Sequence, residues 1–391
     1  LSAETAAPPP IPRIRARLRA YAAGVDAATP AGRDRAADVL RAGAIGGVVL
    51  GHWLVTAWDF TAEGHLVMSS PLAYLPDLAP VSWVLQTLAV FFFVGGHVSA
   101  RSLLTLHADT RAWLGGRMVR LLRPAVPLLL FWAVLATALT AADMPWRSLR
   151  SLMLPALGPL WFLAVFAALT ALTPLLLRLP PFAVPAAMAG VVLAVDLVRP
   201  SPGGPTSLGW VNVLAAWLVP YGLGVAFARG RLRGRAAAWG LLLGGAAGMA
   251  VLLVGFGYPA SMVGVTGARV SNLSPPTLAA VCFGAAQVGV ALLARERLAR
   301  LARGPGLWAV VVVINLSAMA LFLWHQTALV LVALAAMPFG AVPGLLAPPA
   351  DAGWIAGRVG WMLLLAVAAL VAVVVASVAR LKFHDRVSPS S

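Results

Sequence analysis

An arginine and a histidine stand eleven positions apart at the start of the chain's first long apolar run: Arg41, then AGAIGGVVLG, then His52. On a helix, eleven positions amount to three turns plus about 20°, so the two side chains point the same way, with a rise of about 16 Å between them. A neutral imidazole, with a solution pKa of about 6.5, can take the proton of a hydroxyl and so act as a general base. A guanidinium aligned below it offers a fork of donors suited to phosphate or carboxylate oxygens. Gly43, Gly46, Gly47 and Gly51 thin the helix between the two. They leave room for a neighbouring helix or a slender ligand arm to come close. The same histidine could instead serve as a hydrogen bond between packed helices.

The surroundings of these residues are set by composition. Of 391 residues, 61% are hydrophobic and only 11% charged, and the mean hydropathy is +0.89. Soluble domains run near half apolar and a quarter charged, which excludes a soluble enzyme, a disordered chain and a disulfide scaffold. A bilayer core of about 30 Å takes about 20 apolar residues per helix. Ten stretches qualify: 38–57, 81–98, 121–141, 158–177, 182–198, 208–228, 236–256, 276–294, 306–336 and 354–379. The expected fold is therefore all-α, a polytopic membrane helix bundle of about ten transmembrane helices. The ninth stretch is long and is expected to end irregularly near Met337-Pro338.

The charge distribution tests that count independently. With the N-terminus in the cytoplasm, 24 of the 29 basic residues fall in inside segments, and only Arg147, Arg150, Arg199, Arg269 and Arg358 fall outside. Such a bias places both termini in the cytoplasm. It also accounts for the net charge of +16 without nucleic acid as a partner. Residues 1–36 read as a basic, disordered or surface-lying cytoplasmic arm, 37–381 as the transmembrane domain and 382–391 as a cytoplasmic tail. No signal peptide is expected in the arm. The single Cys282 builds neither a disulfide nor a thiolate site, and the six histidines show no HxxxH spacing, so no metal is expected.

Several short motifs then fall in order. Arg41 and His52 form R-x10-H; FFFVGGHVSARSL follows at 91–103, RMVRLLRP at 117–124, GPLWFL at 158–163 and LFLWHQTAL at 321–329. Together they resemble the acyltransferase-3 family of bacterial membrane O-acyltransferases, over roughly residues 36–385. Two positions depart from its pattern. Gly95-Gly96-His97 stands where the family has Ser-Gly-Phe, and Phe322 stands where it has tyrosine.

The resemblance implies an acyl-CoA, often acetyl-CoA, as co-substrate, with no bound cofactor. It implies His52 as catalytic base and Arg41 as the residue that positions the donor, with Arg117 and Arg120 as the family's paired arginines. Arg101, Arg123 and His97 lie on the same cytoplasmic side and could grip the donor's phosphates. Arg41 could also face the reaction's oxyanion if its helix is locally underwound. On the outer side, Asp59, Trp324 and His325 are candidates for contact with the acceptor. That acceptor is a hydroxyl on a glycan, a lipid-linked sugar or a secondary metabolite, and the location is the bacterial inner membrane. Arg117, Arg120 and their neighbours are equally readable as ordinary topology signals. Asn315 reads as helix packing. The alternative function is a proton-coupled transporter or exporter that uses Arg41 and His52 as a relay.

Overall fold

The computed structural model describes residues 10–106, 109–199, 206–268 and 270–387. In chain order the elements are α1 (Pro10–Ala27), α2 (Arg35–Val55), a hairpin of β1 (Ala57–Phe60) and β2 (Leu66–Ser69), and the short α3 (Pro71–Tyr74) and α4 (Ser82–Leu85). Then come α5 (Leu88–Leu106), α6 (Thr110–Leu122), α7 (Ala125–Ala141), α8 (Trp146–Leu157), α9 (Pro159–Arg178) and α10 (Ala183–Val198). The last are α11 (Gly209–Ala228), α12 (Arg235–Gly255), α13 (Leu278–Leu301), α14 (Pro305–Ala336) and α15 (Ala352–Val387). Among the described residues, nine helical segments are long and apolar enough to span a bilayer. The protein is a multi-pass membrane helix bundle.

The difference from ten lies at 182–198. That stretch is helix α10, but its 16 residues reach only about 24 Å. Two of the nine segments each join two long helices, α6 with α7 over Thr110–Ala141 and α8 with α9 over Trp146–Arg178. The second stretch starts later than its hydropathy suggests. Gln86 turns extended and its side chain accepts from the Leu88 amide, while Thr87 donates to the Ala44 carbonyl. Helix α5 can begin only after these two residues. Helix α14 gives way to a single 3-10 turn at Met337–Phe339, as Pro338 requires.

The described part of the basic arm contains helix α1. Its Arg, Ala and Leu residues favour helix, and α1 packs against α14. Val25 joins a small core with Ala42 and Trp308, and the Trp308 indole donates to Thr29 Oγ1. Arg15, Arg17 and Arg19 stay exposed along it.

Helix α11 forms the axis of the bundle, touched by α5, α9, α10 and α13. Its closest approach is to α5. Gly96 lies against the Tyr221 carbonyl and Gly224 against the Phe93 carbonyl, so a Cβ at either would strike backbone. Gly47 and Gly51 of α2 likewise pack on Thr87 and Leu85, whereas Gly43 and Gly46 face open space. At the end of the bundle away from α1, the β-hairpin is folded into the protein, with Trp58 and Leu66 fully buried. The Trp58 indole donates to the Ser151 carbonyl of α8, and the Leu66 amide donates to Ser148 Oγ.

Candidate active site

Helices α2 and α14 run side by side in the same direction, and their polar residues meet in register. Near the start of α2, Arg41 Nε donates to Asn315 Oδ1 at 2.6 Å, and Asn315 Nδ2 donates to the Asp38 carbonyl at 2.9 Å. Three turns on, His52 Nδ1 and His325 Nε2 are 2.8 Å apart. The Trp53 indole donates to the His325 carbonyl, and Gln326 Nε2 donates to Thr56 Oγ1. The eleven-position spacing of Arg41 and His52 thus meets the ten-position spacing of Asn315 and His325 on the helix they both face. Helix α2 is unbroken between them, with no local underwinding to bring Arg41 to His52. The two stay about 16 Å apart and line different cavities.

The two imidazoles are nearly coplanar, at 14° with centroids 5.0 Å apart, the geometry of rings joined edge to edge through one hydrogen bond. His325 Nδ1 lies 2.7 Å from the Phe322 carbonyl. A carbonyl oxygen can only accept, so His325 Nδ1 carries the hydrogen. With both rings neutral, His325 Nε2 is then the acceptor and His52 Nδ1 the donor. His52 Nε2 is left with its lone pair free. One backbone carbonyl thereby fixes the tautomer of both rings, the orienting arrangement expected of a general base.

His325 is fully buried, whereas His52 is partly open. It lines a cleft of about 340 Å³ between the first turns of α9 and α11 and the segment before α13. Around it stand Trp161, Phe162, Trp210, Phe322 and prolines that include Pro159 and Pro276. The Phe162 and Phe322 rings lie 4.5 Å apart.

The other end of α2 is built on two carboxylates. Asp34 caps the helix by accepting from the Ala37 amide. It also takes Arg295 at 2.7 Å, His97 at 3.2 Å and Arg101 at 3.6 Å. Burial alone would raise the Asp34 carboxyl, but the hydrogen bonds from His97, Arg295 and Ala37, with the charge of Arg295, outweigh it. Asp34 is held well below the ordinary carboxylate range. Asp38 receives Arg33 through two bonds, of 2.6 and 2.8 Å. Arg41, His97, Arg101 and both carboxylates line a shared cavity of about 280 Å³. A larger one of about 730 Å³ continues past Arg33, Arg35, Arg101, Arg295 and Arg303.

The model of a family described as an acyltransferase domain matches residues 34–380. The chain belongs to the acyltransferase-3 family. No curated protein and no solved structure matches it. As a member of this family the protein is a multi-pass membrane acyltransferase, and its family motifs can be placed. Gly95, where the family has serine, abuts the Phe166 ring, which fills the space a side chain would need. Phe322, in the tyrosine position, packs on Phe162 and supplies the carbonyl that orients His325.

The paired arginines separate. Arg117 is partly buried over the Trp113 ring, near enough to Arg41 for their charges to interact. Arg120 and Arg123 are exposed, and Arg120 bonds only its own helix at Gly116. Of the outer-side candidates, His325 stands behind His52. Trp324 packs on Phe131 and Asp59 accepts from the adjacent Phe60 amide. Neither of these two lines the cleft.

Four participants escape a reading of single helices. Asp34, Asp38 and Arg295 are surface-like residues at helix ends, and only their meeting in space marks them. Arg358, counted among the outside residues, is inside α15 and fully buried. It donates to the Thr56 carbonyl at 2.8 Å and lies over the Trp354 ring.

Proposed function

We propose that the protein transfers an acyl group, acetyl in the first instance, from acyl-CoA to a hydroxyl of a glycan, a lipid-linked sugar or a secondary metabolite. The observation that carries this reading is the His52–His325 pair, which leaves one unshared imidazole lone pair at the floor of a cleft. The acceptor hydroxyl gives its proton to His52 Nε2 while its oxygen attacks the thioester carbonyl. The carbon–sulfur bond then breaks, and the departing thiolate takes the proton back from His52.

The donor approaches from the arginine-rich face. Phosphate charges cannot enter hydrocarbon, and guanidinium forks suit their oxygens. Arg41, Arg101, Arg117 and Arg295 surround that approach, with His97 beside them. Counting of basic residues makes this face cytoplasmic, in a bacterial inner membrane with both termini inside. The acceptor then meets His52 through the cleft at the other face.

The test is thiol release from acetyl-CoA by purified protein. His52→Ala should lower it by about 10³-fold, within the range of general-base contributions, with the elution profile in detergent unchanged. Full activity of that variant would remove His52 from the chemistry. Substrate counterflow in liposomes without thiol release would instead favour a proton-coupled exporter.

A further inference from the structure

The cleft over His52 differs in chemistry from the cavities at the foot of the α2 helix. It carries no Asp, Glu, Lys or Arg. Its only side chains able to make strong hydrogen bonds, apart from the Trp161 and Trp210 indoles, are His52 and Ser274. The cavities at the foot of α2 hold several charged groups each. A carboxylate or phosphate placed above His52 would lose its water and meet no charged side chain among the described lining residues, a cost of several kcal/mol or more in round terms.

What the cleft does offer is flat apolar surface. Trp161 and Trp210 are 40% and 76% exposed at its mouth, although both sit at the start of helices whose other aromatic residues are packed inward. Phe162 and Phe322 form the inner wall beside the histidine. Exposed indoles give a rigid face for the apolar side of a ring at little entropic cost. The cavity volume, about 340 Å³, sits at the lower end of small-molecule sites.

We infer that this cleft is the acceptor site and that it selects an uncharged alcohol carried on a ring with an apolar face. The ring lies against Trp161 and Trp210 and its hydroxyl reaches His52 Nε2. The inference rests on the base reading of His52 and narrows its acceptor class. Charged glycans are disfavoured because no cation lines the wall among the described residues.

A matched pair of probes tests it. 4-Nitrophenyl β-D-glucopyranoside and 4-carboxyphenyl β-D-glucopyranoside share their hydroxyls and differ in one charge. Acetyl transfer, read as acceptor-dependent thiol release from acetyl-CoA and by mass of the product, should favour the nitrophenyl compound at least tenfold in kcat/KM. Val213→Arg, on the cleft wall, should invert that preference, and Trp161→Ala should raise the KM for the nitrophenyl compound. Equal or better use of the carboxylate by the wild-type protein overturns the inference, as does transfer to neither compound. Acceptor-free thiol release keeps the two questions apart. If it is present and lost in His52→Ala, the base reading stands whatever the probes show. If it is absent, His52→Ala is compared with the wild type in acceptor-dependent release, and equal rates bring down the base reading and the acceptor class with it.

Discussion

The two ends of helix α2 handle charge in opposite ways. At its start, Asp34 and Asp38 gather His97, Arg101, Arg295, Arg33 and Arg41. The cations outnumber the carboxylates, so a net positive surface remains, held in fixed positions by the acids between them. At its end, the polar groups near His52 are imidazoles, an amide, hydroxyls and backbone carbonyls, and the one cation, Arg358, meets no carboxylate. Fixed positive charge in excess suits a phosphate-bearing donor. A site without carboxylates suits proton transfer, in which a neutral imidazole must gain and return a proton with little competition. On the proposed function, the helix separates donor binding from chemistry by about three turns.

The sharpest way to break that separation is to remove the group that orients the base without touching the base. His325→Phe keeps a ring in the buried space but cannot accept from His52 Nδ1. His52 then loses its fixed tautomer. We expect kcat to fall by about 10²-fold with the KM for acetyl-CoA changed less than twofold, whereas His325→Gln, which retains an acceptor, should recover part of the loss. Measurement of both constants checks this. A rise in donor KM in place of a fall in kcat would mean that the two ends of α2 are not functionally distinct.

The opposite experiment is at the foot. Asp34→Asn leaves a residue able to cap the helix but frees Arg101, Arg295 and His97 from their common anchor. Donor KM should rise by about tenfold, roughly 1.4 kcal/mol, with kcat little altered. The same variant should change acid stability. Because Asp34 titrates below the usual range in the folded protein, its contribution is complete above the unfolded carboxylate pKa of about 3.9. It is lost as the pH falls from there through the folded value. Unfolding midpoints compared at pH 7 and below pH 4 should therefore separate wild type from Asp34→Asn at neutral pH and converge in acid.

How much of this was visible in the chain follows the same division. Apolar runs and the distribution of arginines fixed the bundle, because a helix in hydrocarbon must satisfy its own backbone, and this is written locally. His52 and Arg41 were legible since charge or imidazole in an apolar run stands out. Asn315 stood out too, but its partner is 274 positions away, so it reads as packing. Asp34 was hidden because an acid before a helix looks like an ordinary cap, which it also is. Phe322 was read as a departure from a motif, although its contribution to the histidine pair is a carbonyl, which every residue type supplies. The β-hairpin at 57–69 was missed because a loop beyond a membrane span is expected to be solvated, and only α8 packing on it buries Trp58.

Arg358 gives the smallest and most discriminating prediction. It is fully buried, donates once to the Thr56 carbonyl, and its Nε and Nη1 have no partner. Thr56 also receives Gln326, the neighbour of His325, so the contact clasps the end of α2 to α14 and α15. Two effects oppose each other when the guanidinium is removed. The clasp loses a charge-assisted hydrogen bond, about 1.5–3 kcal/mol. The protein also no longer desolvates a cation that has no counter-ion, which returns energy of similar size. Arg358→Met should therefore leave the detergent unfolding midpoint nearly unchanged. It should also loosen the end of α2 just beyond His52 and lower kcat two- to fivefold, under about 1 kcal/mol of barrier. Arg358→Lys keeps the buried charge without the planar fork, and it should be the less stable of the two. A large fall in stability for the methionine variant would show that the cation is balanced by a group at this end after all, and the contrast between the two ends of α2 would then fail.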